Sequence, residues 1–250
     1  MRIALISDIH GNLPALEAVV ADFKRRGIDA VINLGDSLSG PLYPHETAQF
    51  LMAQTWTHLA GNHERQILNL NPAVADPADF FARSQLTQAE LAWLATLQPV
   101  GTFGEDMFIC HGTPFGDSQY LLETVEPTTV RLATPEEIHA RLGGVAVPLI
   151  ACGHTHLPRS VRSSTGQLIV NPGSVGLQAF ADTHPYPHII ENGSADARYA
   201  IVEKRNGHWV PALIAVPYDH ASVAPLARQR GLNDWARALQ TGYIKSNRAA

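Results

Sequence analysis

The 250-residue sequence predicts an α/β protein, and three observations carry that prediction. Short apolar runs alternate with helical patterns through the first half, as in successive βα units. Five apolar runs along the chain stop at a cluster of Asp, His, Asn and Gly. Hydrophobic residues make up 45% and charged residues 16%, a balance that lets a chain of this length bury a core without disulfides.

In chain order, Arg2 to Ser7 reads as a buried strand. A helix follows with Leu13, Leu16, Val19, Val20 and Phe23 on one face, capped by Asn12 and ended by Gly27. Ala30 to Leu34 is the second strand. A short helix over His45 to Ala53 leads to a third, Thr55 to Leu59. Thr87 and Glu90 make a capping box for a helix over Gln88 to Leu97. Met107 to Cys110 and Leu149 to Cys152 are further strands. Between them, Thr134 and Glu137 form a second box with Pro135 in the first turn. Gln167 to Val170, Tyr199 to Glu203 and Trp209 to Val216 complete the strands. The Pro-, His- and Asn-rich stretch Thr183 to Asp196 reads as a surface loop. One domain spans 1–250. Segment 113–147 is expected to be a pocket wall or lid, and 221–250 a tail that is helical over Ala221 to Leu239.

Charge and composition exclude several classes. The formal net charge is -5 with no basic cluster, which argues against nucleic acid as a tight partner. The apolar start is too short for a secretion signal and no run is long enough to span a membrane, so a cytoplasmic protein is expected. Cys110 and Cys152 each end an apolar run, the place of small buried strand residues in a reducing compartment.

The chemistry lies where strands stop. These ends are Asp8-Ile9-His10-Gly11-Asn12, Gly35-Asp36, Gly61-Asn62-His63-Glu64, Cys110-His111-Gly112 and Gly153-His154-Thr155-His156. The carboxyl ends of strands in an open α/β sheet face a common crevice. Carboxylate and amide oxygens suit hard cations, and imidazole suits later first-row metals. Asp8 and His10 alternate, as do His154 and His156, so in regular strands each pair would share a face. Each motif alone matches by chance; all five in this order, each closing a strand, do not.

The same order of motifs resembles the calcineurin-like metallophosphoesterases, from Ile3 to about Gly176. Asn171-Pro172-Gly173-Ser174-Val175-Gly176 is similar to a stretch of their small bacterial and archaeal phosphodiesterase branch. The resemblance implies a four-layer αββα sandwich of two mixed sheets. It implies that Asp8, His10 and His156 bind one metal and that Asn62, His111 and His154 complete a second. Asp36 would bridge the two, and His63 would be catalytic, oriented by Glu64. Two divalent transition metals are expected: manganese first, with iron, cobalt, nickel or zinc as alternatives. Such a pair would lower the pKa of a water and set phosphorus for in-line attack. The expected substrate is a small phosphorylated molecule, cleaved at a phosphodiester. A phosphomonoesterase or nucleotidase, or a non-catalytic metal-binding scaffold, is the alternative.

The sequence departs from the family twice. Gly35-Asp36 continues as Ser37-Leu38-Ser39-Gly40-Pro41, without the Asp-Arg-Gly of protein Ser/Thr phosphatases, which argues against phosphoprotein substrates. Leu177-Gln178-Ala179-Phe180 replaces the Gln-Pro-Arg usual in the branch. Outside the motifs, His184 and His188 read as exposed loop residues. Arg65 reads as half of a surface ion pair.

Overall fold

The computed structural model describes residues 1–244; positions 245–250 of the expected tail lie outside the described residues. Two five-stranded mixed sheets form the centre. The first runs in the order His208–Val216, Ala197–Arg205, Arg2–Ile6, Ala30–Asn33, Thr57–His58. The second runs Val100–Phe103, Met107–Cys110, Leu149–Ala151, Leu168–Asn171, Arg159–Arg162. In each sheet three adjacent strands are parallel, so their carboxyl ends share one edge.

Side-chain alternation builds the layers. Ile3 and Leu5 point between the sheets, where they meet Met107, Ile109, Leu149 and Val170. Ala4 and Ile6 point the other way, onto Leu16, Val19 and Phe23 of the helix Leu13–Arg25. On the far side, Cys110, Ile150 and Ile169 pack on Ile138 and Leu142 of the helix Pro135–Leu142. A strand buried on both faces reads as an unbroken apolar run, which is why Ile3 to Ile6 carries no polar residue. The result is a four-layer αββα sandwich.

Several sequence expectations change in extent. The third strand shrinks to Thr57–His58, with Leu59 in a single parallel bridge to Gln98. The helix begun by the Thr87 box is Gln88–Leu94, shorter because Thr96 and Leu97 close tighter turns onto the Trp93 and Leu94 carbonyls. The tail is two helices, His220–Gln229 and Asn233–Thr241, separated at Gly231, whose φ is 79°. The stretch 183–196 is not all loop. His188–Glu191 pairs antiparallel with Ala179–Asp182, and His188 and Ile190 are buried. Four alternating residues were too few to stand out among the turn-forming residues around them. Segment 113–147 contains a hairpin, Glu123–Glu126 with Thr129–Leu132. No described helix is long and apolar enough to cross a membrane.

Candidate metal centre and active site

The five strand-end loops are stitched to one another by their backbones. Asp8 N–H donates to the Gly35 carbonyl at 2.9 Å, His10 N–H to Asp36 at 3.0 Å, and Gly153 N–H to His111 at 2.7 Å. Within these loops Asp8, His10, Asp36, His154 and His156 take left-handed backbone, with φ of 55°, 53°, 55°, 68° and 57°. Asn206 is the only other such non-glycine residue among the described residues. Each such residue costs roughly 1–3 kcal/mol, and strain of this kind collects at functional sites. The strand Arg2–Ile6 ends before Asp8, so Asp8 and His10 do not share a strand face. The left-handed turns, not the pleat, bring them together.

Two groups result. Asp8, His10 and His156 bring ligand atoms within 4.8 Å of one another, and so do Asp36, His111 and His154. Three imidazoles are held alike. His10 Nδ1 donates to the Ser39 carbonyl at 3.1 Å, His111 Nδ1 to Leu34 at 2.8 Å, and His156 Nδ1 to Leu177 at 2.6 Å. Each bond fixes the tautomer that leaves the lone pair on Nε2. His10 Nε2 and His156 Nε2 then face each other 3.1 Å apart, and two lone pairs at that distance repel unless a cation takes both.

Buried atoms without partners make the same point. Asn62 Oδ1 has no hydrogen-bond partner, and Asp8 Oδ1 and His111 Nε2 meet only other candidate ligands, His156 Nε2 at 3.2 Å and Asp36 Oδ2 at 3.0 Å. An unsatisfied buried group costs about 1–3 kcal/mol. Protonation states agree with ligation at His10, His154 and Asp8; His111 differs, because burial would lower it but Asp36 and Asp8 outweigh burial and raise it to about 9. Burial, with His156 and His63 alongside, pushes His10 down to about 3. Burial, with His111 nearby, takes His154 down to about 4. Burial alone would raise the Asp8 carboxyl, but His156 and His111 hold it down at about 2. Neutral imidazoles and ionised carboxylates are the forms metals bind. The residues therefore fit divalent metals.

Glycine makes room at one close approach. A Cβ on Gly61 would overlap Asp36 Oδ1. The next residue, Asn62, starts the helix Asn62–Leu68, so the helix carries His63 and Glu64 in its first turn.

Glu64 has a different task from the one the family resemblance implied. Its carboxylate accepts the N–H groups of Gly61 at 2.7 Å, Asp36 at 2.8 Å and Ser37 at 2.7 Å. It ties two ligand loops together, because the first turn of a helix aims an acid at nearby backbone donors. Asp79 orients His63 instead: His63 Nδ1 lies 2.8 Å from Asp79 Oδ1. Asp79 is buried in the first turn of the helix Pro77–Gln85. Burial would lower the His63 pKa, but Asp36 and Asp79 outweigh it and hold it up at about 10. Nε2 is left to the pocket side.

A cleft of about 250 Å³ opens here, lined by His10, Asp36, Asn62, His63, His154 and His156, with Phe180 and Trp235 at its walls. Asp8 and His111 are fully buried and do not line it.

The sequence matches the calcineurin-like phosphoesterase superfamily domain over residues 1–191. The chain belongs to the calcineurin-like phosphoesterase superfamily. Membership makes it a phosphoric ester hydrolase of a family that binds divalent metals. This calcineurin-like phosphoesterase is 28% identical to an uncharacterized protein of Methanocaldococcus jannaschii over 249 residues, covering 93% of this chain and 94% of that one. It superposes on a crystal structure of a metallophosphoesterase from Sphaerobacter thermophilus with a TM-score of 0.76 and 25% identity, covering 97% and 99% of the two chains. A hypothetical protein from Pyrococcus horikoshii shares the fold at TM-score 0.73 and 18% identity, over 97% and 98% of the chains.

Sequence reasoning missed Asp79, Tyr120, Phe180 and Trp235. Asp79 reads as an ordinary acid favoured by a helix N-terminus. Tyr120, from segment 113–147, stacks edge-on to His154 at 5.0 Å. Phe180 lies 4.7 Å from the His156 ring and Trp235 lies 5.7 Å from the His10 ring. Nothing local in the tail marks Trp235, and Phe180 showed only as a departure from the family's usual residues. His188 is buried, with Nε2 2.9 Å from Tyr120 Oη, because its strand folds it under the hairpin. His184 is exposed. Arg65 makes a two-pronged ion pair with Asp117 at 2.7 and 2.8 Å.

Proposed function

We propose that this phosphoesterase hydrolyses a phosphodiester with two divalent metals, manganese for preference. Asp8, His10 and His156 hold one; Asn62, His111 and His154 hold the other; Asp36 is shared. The carrying observation is the set of Nδ1-anchored imidazoles around the Asp8 and Asp36 carboxylates and the unpartnered Asn62 Oδ1, with His63 beside them. Bound metals would lower the pKa of coordinated water and neutralise phosphoryl oxygens.

The chain's own residues do the rest. A water oxygen forms the new bond to phosphorus, and the bond to the departing alcohol breaks. The alcohol takes a proton from His63, which regains one from the attacking water. Asp79 keeps the imidazole aimed until then. General-acid help of this kind is typically worth about 10²–10⁴-fold. Among the described residues no lysine or arginine lines the cleft. A monoester dianion would bring a second charge with no lysine or arginine to meet it, so a diester monoanion is the better match.

The test is reconstitution with Mn²⁺, elemental analysis, and turnover of a diester and a monoester of the same alcohol. The expected result is two metals per chain, higher kcat/KM on the diester, and poor activity with Mg²⁺ alone, because four imidazoles favour softer ions. One metal per chain, or a preference for the monoester, would refute the proposal.

A further inference from the structure

The cleft over the metal ligands does not end at them. A second cleft, of about 450 Å³, shares Asp76, Leu177, Phe180, Ala181 and Trp235 with the first. Together they form a trough from His63 to the first turn of the helix Asn233–Thr241. Two half-buried aromatic rings, Phe180 and Trp235, line both parts, and both begin against metal-ligand histidines. Three carboxylates stand along the trough: Asp182 in the first cleft, Asp234 in the second, and Asp76 in both. Among the described residues none is ion-paired with lysine or arginine, and neither cleft is lined by either residue. Asp76 and Asp182 each use Oδ1 on backbone N–H groups and keep Oδ2 for other partners.

We infer that one ester arm of the substrate is cationic: the trough of Phe180, Trp235, Asp76, Asp182 and Asp234 fits a phosphodiester of an amino or quaternary-ammonium alcohol. This rests on the phosphodiesterase reading and narrows it. Aromatic faces attract cations through the ring quadrupole, most strongly where water is partly excluded. Carboxylates with no lysine or arginine partner add Coulomb attraction and set a field along the channel that repels anionic arms, including polyphosphates. A neutral arm of equal size gains the apolar contact but neither charge effect. Discrimination thus combines attraction of one class with repulsion of another.

The experiment uses the full-length, Mn²⁺-loaded protein and three methyl phosphodiesters, followed by ³¹P NMR. Their second arms are choline, 3,3-dimethylbutanol as its uncharged isostere, and 4-hydroxybutyrate as an anion. The expected kcat/KM is at least tenfold higher for the choline ester than for the isostere, and lowest for the anion. That ratio should fall with added salt. It should also collapse in Asp182→Asn and Asp234→Asn, which keep side-chain size. Equal rates on all three diesters, or preference for the anionic one, overturn this inference and leave the phosphodiesterase reading standing. No hydrolysis of any diester by protein carrying two metals overturns that reading itself. The substrate comparison on the unaltered protein decides the matter even if a variant fails to fold.

Discussion

Asp79 holds the residue-scale result that the linear sequence hid. His63 has one ring nitrogen fixed by Asp79 and the other at the cleft. His63→Ala should lower kcat by about 10²–10⁴-fold while both metals stay bound. A substrate with a nitrophenolate leaving group should lose less, since that group hardly needs a proton; equal losses would point to electrostatic stabilisation instead. Asp79→Asn should cost about tenfold to a hundredfold in kcat with little change in KM, the usual scale for removing an orienting partner. Unchanged kcat in Asp79→Asn would mean the pair is structural. The two cysteines make the opposite case. Burial pushes the Cys110 thiol up to about 12 and Cys152 well above its usual range. Neither should react with Ellman's reagent at pH 8 in the folded protein, and both should react in denaturant. A fast-titrating thiol in the native state would contradict this burial.

Loops and helix starts, rather than strands, do the aiming at the scale of elements. The Gly61 turn abuts Asp36, and Glu64 clamps the two loops through three backbone N–H groups. Gly61→Ala should therefore cost about 2–3 kcal/mol, the upper part of the usual range for one substitution, and weaken metal binding as well. Thr134→Ala is the control. It removes a cap from an outer helix and should cost about 1 kcal/mol without touching metal affinity. Urea unfolding and metal titration of both variants separate the two effects; equal metal affinity in Gly61→Ala and the unaltered protein would defeat the argument.

Across the whole molecule, each candidate metal group draws on both sheets. Asp8 and His10 follow a strand of the first sheet, and His156 follows a strand of the second. Asp36 follows the first sheet, and His111 and His154 follow the second. A metal at either group fastens the two halves of the sandwich together. Binding only the native state stabilises by about 2.7 kcal/mol at one hundred times Kd. Chelation should thus lower the midpoint of the whole unfolding transition rather than melt a local loop. Asp36→Asn should weaken both sites together, because an amide oxygen is a poor bridge between cations. Loss of one metal alone in Asp36→Asn, read by elemental analysis, would remove Asp36 from the shared position.

Local chemistry alone was enough to mark the central strands, the helices after Asn12, Thr87 and Thr134 with their caps, and the polar clusters at the strand ends. Caps, apolar runs and strand-end motifs act over a few residues, so the linear order carries them. Distant pairings were decided only by the tertiary structure. Asp79 lies 16 residues from His63, and Trp235 meets His10 from the far end of the chain. The assignment of Glu64 went astray for the same reason. Sequence neighbours one residue apart point in different directions on a helix, so Glu64 turned to the backbone while a separate helix supplied the partner of His63. The strand His188–Glu191 gains its character from pairing with Ala179–Asp182, and four residues have too little intrinsic preference to announce that pairing in advance.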